Sequence, residues 1–215
     1  MMDGNDNFTG ARKDTYWVNG QIIGLNPENI ERNQAYSNFY SKIGDSKNNI
    51  KIINNFLNKR EIQLLMSGIP NAKFSTFVAQ KDDKGEALVS LNRYYMKDIF
   101  KTIDKVKKEV IKAYEVENIK AVEERGISIV RWDKGSYLTL HADDLGYVPH
   151  NNIAVLIYLN DDYEGGEINF PTHDLCIKPE VGSLLIFPGS LNYPHEVKEV
   201  LSGTRYTVAL WFSIV

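Results

Sequence analysis

From about residue 126 onward the chain breaks into short apolar runs separated by turn residues, and this rhythm constrains the fold more than any other feature. The runs are Ile127–Trp132, Tyr137–His141, Asn152–Leu159, Glu167–Phe170, Leu175–Ile177, Ser183–Phe187, His195–Val197 and Arg205–Ile214. Between them stand Asp133-Lys134-Gly135, Asn160-Asp161-Asp162, Gly165-Gly166, Pro171 and Pro188-Gly189. Runs rich in β-branched and aromatic residues and bounded by Gly, Pro, Asn and Asp read as strands. About eight in succession predict a sandwich or barrel.

The preceding half reads differently. Ile50–Phe56 is a short strand leading into a helix that Asn58 caps, with Glu61 at the third helical position completing a capping box. Ile62, Leu64, Leu65 and Met66 supply its apolar face, and Gly68 followed by Pro70 ends it. Lys73–Gln80 is a predicted strand and Lys81–Glu86 a polar turn. Leu88–Tyr95 then starts a second, longer helix, in which Ile99, Phe100, Ile103, Val106, Val110, Ile111 and Tyr114 recur at helical spacing through about Glu117. Helices followed by strands predict an α+β chain. Residues 1–48 form an N-terminal arm, disordered over 1–14 and carrying a short helix from Pro27 to Tyr40. Residues 49–215 form one domain, with its sheet-rich core over about 126–215.

At 215 residues the chain is long enough for a sizeable core. Its formal charge of −3 gives no electrostatic case for a nucleic-acid partner. The basic run from Lys101 to Lys112 is interrupted by apolar residues, Asp104 and Glu109, and reads as the solvated face of a helix. A single cysteine, Cys176, rules out an internal disulfide framework and suits a reducing compartment. Its place in the apolar run Leu175–Ile177 predicts a packed thiol. With no apolar leader and no stretch of about 18 apolar residues, the sequence gives no sign of membrane association, and a cytoplasmic location is expected.

Chemistry concentrates in three places. His141 and Asp143 stand two apart at the end of a strand, a spacing that turns both side chains to one side. His195 opens a later strand after the loop Pro188–Pro194. Arg205 opens the most apolar strand, whose alternation puts Arg205, Thr207, Ala209 and Trp211 on one face and Tyr206, Val208, Leu210 and Phe212 on the other. Turned inward, Arg205 needs a partner such as a ligand carboxylate gripped by its guanidinium fork; turned outward, it simply reaches solvent. Two histidines and one carboxylate make the facial set of non-haem Fe(II) oxygenases, leaving positions for a chelating 2-oxo acid and O2. A structural zinc site would instead close its fourth position with Cys176, His150 or His173, none of which has a close-spaced partner.

Residues 126–215 resemble the catalytic double-stranded β-helix, or jelly roll, of Fe(II)/2-oxoglutarate-dependent dioxygenases, in the prolyl 4-hydroxylase-like branch. The resemblance lies in Trp132 to Tyr137, His141-Ala142-Asp143, Leu156-Ile157-Tyr158-Leu159-Asn160, Gly165-Gly166-Glu167, Phe187-Pro188-Gly189, Pro194-His195-Glu196-Val197 and Gly203-Thr204-Arg205-Tyr206, in that order. The capped helix after Phe56-Leu57 resembles the family's N-terminal helical support. By position, the resemblance implies iron ligands His141, Asp143 and His195, and Arg205 as the residue binding the distal carboxylate of 2-oxoglutarate. Tyr158, in phase with Leu156 and Ala154, falls where relatives use a tyrosine hydroxyl on the same carboxylate; as a core tyrosine it would only pack. Thr207 adds a hydroxyl contact. Trp211 matches a tryptophan at the substrate mouth, where plain packing explains it equally. The rim implied for substrate includes Arg93 and Tyr94, which a polar helix start would also explain.

The chain departs from the family at two positions. Trp132 stands where many prolyl hydroxylases have tyrosine, and Leu138 replaces a tyrosine three before the first ligand. Tyr137, four before it, shares the His141 face on a regular strand. The chemistry implied is oxidative: 2-oxoglutarate and O2 yield succinate and CO2 while a C–H bond is hydroxylated, with ascorbate as accessory reductant. A peptide or protein substrate leads. Alternatives are a free amino acid or other small metabolite and, from a different class, a jelly-roll binding module without metal.

Overall fold

The computed structural model describes residues 15–18, 21–25, 30–81, 87–95, 100–122, 128–144 and 151–214. Residues 1–14, residues 82–86 of the expected turn and His150 lie outside the described residues. In chain order the elements are β1 Thr15–Val18, β2 Gln21–Leu25, α1 Ile30–Ile43, β3 Lys51–Ile53, α2 Lys59–Ser67, β4 Ser75–Lys81, β5 Ala87–Tyr95 and α3 Phe100–Tyr114. There follow β6 Ile119–Ala121, β7 Ser128–Trp132, β8 Leu138–His141, β9 Ile153–Tyr158, β10 Glu164–Gly165 and β11 Ile168–Phe170. Last come β12 Leu175–Ile177, β13 Leu184–Pro188, β14 His195–Val197, β15 Val200–Ser202 and β16 Arg205–Ile214. The fold is therefore mixed helix and sheet, and its strand pairs are antiparallel.

A large sheet runs β3-β13-β9-β16-β7-β5-β4, with β6 also on β16, and a smaller one runs β12-β11-β14-β8. The pleat of the large sheet explains why its central strands are apolar on both sides. Ile153, Val155 and Ile157 of β9, Leu184 and Ile186 of β13, and Val208, Leu210 and Phe212 of β16 share one cluster with Phe39 of α1, Leu65 of α2 and Val106 and Val110 of α3. The alternate residues Ala154, Tyr158, Leu185 and Phe187 pack instead with Ile168 and Phe170 of the small sheet. Three layers result: helices, large sheet, small sheet.

Local signals in the helical half are realised at α2. Asn58 accepts from the Glu61 amide at 3.0 Å, and the Glu61 carboxylate accepts from the Asn58 amide at 2.7 Å. Leu88–Tyr95 is a correction, because it is strand β5 and not the start of a helix. Its backbone is paired on one side with β4, Ser75 opposite Arg93, and on the other with β7, Tyr95 opposite Ser128. Two ladders outweigh the modest helix propensity of this segment. The described helix α3 runs Phe100–Tyr114, after which Glu115 takes a left-handed φ of 51°. In the arm, α1 runs on past the expected end at Tyr40 to Ile43, while β1 and β2 form a hairpin that no sequence periodicity announced.

Cys176 is also a correction. It is exposed, because a three-residue strand that turns Leu175 and Ile177 to the core must turn its middle residue outward.

Gly189 locks the end of β13 to the segment before β9. Its amide donates to the Asn152 carbonyl at 2.9 Å and its carbonyl accepts from the Asp144 amide at 2.8 Å. A Cβ at this position would stand 2.0 Å from the Asn151 carbonyl oxygen. Gly189→Ala is therefore expected to destabilise the fold by about 1–3 kcal/mol, the usual cost of overpacking. A urea-denaturation midpoint equal to that of the unsubstituted protein would refute this close approach.

Candidate functional site

Pairing of β8 with β14 sets His141 directly opposite His195. Their rings lie 4.3 Å apart between centroids, and Asp143 sits just beyond β8 on the same side. The His141 Nε2 is 3.8 Å from Asp143 Oδ1, and the His195 Nε2 is 3.7 Å from Asp143 Oδ2. One ligand atom from each of the three residues lies within 4.8 Å of the other two. Both imidazoles are oriented from behind: the Nδ1 of His141 is 2.8 Å from the Thr139 carbonyl, and that of His195 is 3.2 Å from the Tyr193 carbonyl. A carbonyl only accepts, so each Nδ1 carries a proton and Nε2 is the ring nitrogen that faces Asp143.

His195 sits in a dry wall. Phe187 meets its ring edge-on at 4.6 Å and Phe170 lies at 5.5 Å. Burial, opposed by the Asp143 carboxylate and assisted by His141, lowers its pKa from 6.5 to about 4, so the ring is neutral as a metal ligand requires.

Asp143 is steadied by neighbours that sequence reasoning did not single out. Asn151 Nδ2 donates to the Asp143 carbonyl at 2.9 Å. Next to it, buried Asp144 accepts from Asn152 Nδ2 at 2.9 Å. The Asn152 side-chain oxygen takes the Ile214 amide at 2.8 Å, and its carbonyl takes the Tyr40 hydroxyl at 2.9 Å. This ties Asp143 to the end of β16 and to helix α1.

Arg205 faces inward with 0% exposure, and its Nε, Nη1 and Nη2 have no hydrogen-bond partner among the described residues. Its guanidinium carbon lies 4.7 Å from the Trp132 ring and 5.1 Å from the Tyr158 ring. The Tyr158 and Tyr163 hydroxyls are likewise buried without a hydrogen-bond partner. Burial raises both phenol pKa values and the guanidinium opposes the rise, so both hydroxyls remain protonated donors at neutral pH. A lone buried cation ringed by donors costs several kcal/mol unless an anion completes it. Thr207, also fully buried, accepts from the Trp132 indole at 3.0 Å and keeps its own proton to donate. A donor set of this kind fits a carboxylate, and the His-Asp-His set fits an octahedral metal with open positions.

Tyr163 was missed in the sequence. Its signal is the Gly165-Gly166 pair that follows: Gly166 has a φ of +67°, and a Cβ there would lie 3.0 Å from Arg205 Cδ and 3.2 Å from Tyr163 Cε2. Only a residue without a side chain lets β10 pass this close to the arginine.

The remaining candidates are dispersed. Trp211 packs between the sheets with its indole N–H buried and unpartnered among the described residues. Tyr137 precedes β8 and is 39% exposed, whereas Leu138 packs inward. A bulge in the β8–β14 pairing, between the His141 and Leu138 rungs, breaks the regular alternation expected of Tyr137 and His141. Arg93 and Tyr94 lie on β5 opposite Val130 and Ile129, and their side chains are outside the described residues. Cys176 and His173 are not part of the site; His173 stacks on Tyr193 instead.

A family model described as the 2OG-Fe(II) oxygenase superfamily matches residues 127–213. Human prolyl 3-hydroxylase 2 is 42% identical over 66 residues, 28% of this chain but only 9% of that protein. The chain thus aligns with a small part of the prolyl 3-hydroxylases it matches. A protein of Acanthamoeba polyphaga mimivirus, provisionally named a prolyl 4-hydroxylase, is 24% identical over 212 residues, covering 87% of this chain and 83% of its own. A Trichoplax adhaerens prolyl hydroxylase, solved in complex with a hypoxia inducible factor peptide fragment, shares the fold with a TM-score of 0.56 at 17% identity, covering 87% of this chain and 92% of its own.

The depressed His195 pKa has a measurable consequence in metal-free protein. An unfolded imidazole takes a proton near pH 6.5 and the folded one only near 4, so between these values the unfolded state binds more protons. Stability should therefore fall as the pH is lowered through that window. Urea midpoints of chelator-treated protein should show the fall, and His195→Gln should flatten it. An equally steep fall in the variant would assign the effect elsewhere.

Proposed function

We propose, because residues 127–213 match the model of the 2OG-Fe(II) oxygenase superfamily, that the protein hydroxylates a C–H bond of a peptide or protein side chain, in the manner of prolyl hydroxylases. The two facing sheets are read as a double-stranded β-helix. The observation that carries the proposal is the buried Arg205, unpartnered among the described residues, in the same interior as a convergent His-Asp-His set. A cation enclosed in this way needs an anionic ligand, and 2-oxoglutarate brings a carboxylate that does not have to touch the metal.

In this reading His141, Asp143 and His195 hold Fe(II). The bound ion, with 2-oxoglutarate and O2, supplies the oxidising power for hydroxylation, with succinate and CO2 as co-products. The chain's own residues bind and orient. The guanidinium fork of Arg205 takes the distal carboxylate, and the Tyr158, Tyr163 and Thr207 hydroxyls donate to its oxygens. Trp132 holds Thr207 in place through the indole hydrogen bond and lies against the guanidinium. Phe170 and Phe187 exclude water from the His195 side of the centre. Support for a peptide comes from the exposed Tyr137 and Leu140, apolar surface immediately before His141, and from the peptide bound by the Trichoplax relative.

Purified protein given Fe(II), ascorbate and 2-oxoglutarate should release succinate, and proline-rich peptides should gain 16 Da by mass spectrometry. Succinate that never forms while iron is bound would sink the oxygenase reading; a free amino acid that gains the oxygen instead would replace the peptide. Arg205→Ala removes hydrogen bonds worth about 1.5–3 kcal/mol each, so 2-oxoglutarate affinity should drop by more than about tenfold with iron binding retained. Tyr163→Phe should cost roughly 1 kcal/mol of the same affinity. Unchanged affinity in either variant removes that residue from the carboxylate site.

A further inference from the structure

The loop that delivers His195 is gripped from a distant part of the chain. Tyr193 is buried at 1% exposure, and its hydroxyl sits inside the turn formed by residues 44–49. It accepts from the Ser46 amide at 3.0 Å and from Asn49 Nδ2 at 2.7 Å, and it donates toward the Gly44 and Ser46 carbonyls at 3.0 and 3.3 Å. Those four contacts use every donor and acceptor a phenol has. His173 stacks on the same ring at 4.6 Å with 14° between planes, and its Nε2 is 3.0 Å from Asp45 of the same turn. Helix α3 holds the turn in place: the Tyr114 hydroxyl donates to the Asn49 carbonyl at 2.6 Å.

We propose that Tyr193 is a positioning residue for His195, and that residues 44–49 set the geometry of the metal site through it. The transmission is short and stiff. The hydroxyl end is fixed to the turn, the ring is clamped by His173, and the backbone carbonyl of Tyr193 accepts the His195 Nδ1 proton. Pro194 stands between the two residues and locks its own φ, which removes the softest torsion in the link. An outer partner of this kind fixes both the tautomer and the tilt of a ligating imidazole, and its loss typically weakens metal binding by about 10–100-fold. The inference rests on the metal reading of His141, Asp143 and His195. It goes further by giving the N-terminal turn, which lies outside the residues matched by the family model, a role in the centre.

The test uses the full chain and Co(II) as probe, followed by its visible absorption under anaerobic conditions. Tyr193→Phe keeps the ring and deletes the four hydroxyl contacts. It should bind Co(II) about tenfold more weakly and show a shifted band at saturating metal, in protein whose circular dichroism is unchanged. A purely structural role would lower the melting temperature and leave the saturated spectrum as it was, and that result overturns the proposal. A second measurement needs no variant. Positioning is reciprocal, so Co(II) bound to the unsubstituted protein should slow hydrogen exchange at the amides of residues 44–49. Exchange there that ignores the metal also overturns it. If the unsubstituted protein takes up no Co(II), the metal reading itself falls; uptake with unaltered behaviour at Tyr193 and at 44–49 sinks only the positioning role.

Discussion

Strand β16 is enclosed on both faces and hydrogen-bonded along both edges, and the rest of the molecule is arranged around that constraint. It pairs with β9 on one side and with β7 and β6 on the other. No side chain on its central stretch can avoid an interior, so the pleat alone decides which interior each one meets. Val208, Leu210 and Phe212 meet helices; Arg205, Thr207, Ala209 and Trp211 meet the small sheet. Shifting the register by one residue would send the arginine into the helix-facing core and the aromatic and aliphatic residues into the space between the sheets. The charge is thus committed to the space between the sheets by the same alternation that builds the core.

Two kinds of buried polar group distinguish scaffold from site. Asn152 and Asp144 are as buried as any core residue, yet they bond one another and reach helix α1 and strand β16. Arg205, Tyr158 and Tyr163 are equally buried and are left with donors that nothing in the described protein answers. Folding energetics account for the first group entirely, because satisfied networks fix the packing. They do not account for the second, whose desolvation is compensated only when something is bound.

Much of this was legible in the sequence wherever the signal is local. The Asn58–Glu61 cap needs four consecutive residues, and the two-residue alternation of β9 and β16 separates the faces without any tertiary knowledge. The order His141, Asp143, His195 singled out three side chains that the structure brings together. What escaped depends on partners far away in the chain. Leu88–Tyr95 becomes a strand because β4 and β7 flank it. Tyr137 leaves the His141 face because of a bulge that belongs to a pair of strands and not to one. Cys176 looked apolar by its neighbours, but a strand of three shows its middle residue to the other side. Tyr163 is visible only once Gly166 is seen beside Arg205, and the contacts of Tyr193 to Ser46 span 147 residues.

The span of that last contact bears on what counts as one heritable, transferable part. A segment cut to residues 127–213 would contain all three His and Asp side chains and the arginine, and would read as complete by its motifs. It would nonetheless leave behind Tyr40, the 44–49 turn and the helices that cover the large sheet. Hydrogen bonds and buried faces thus reach from this stretch back to helix α1, well upstream of the residues that the family model matches.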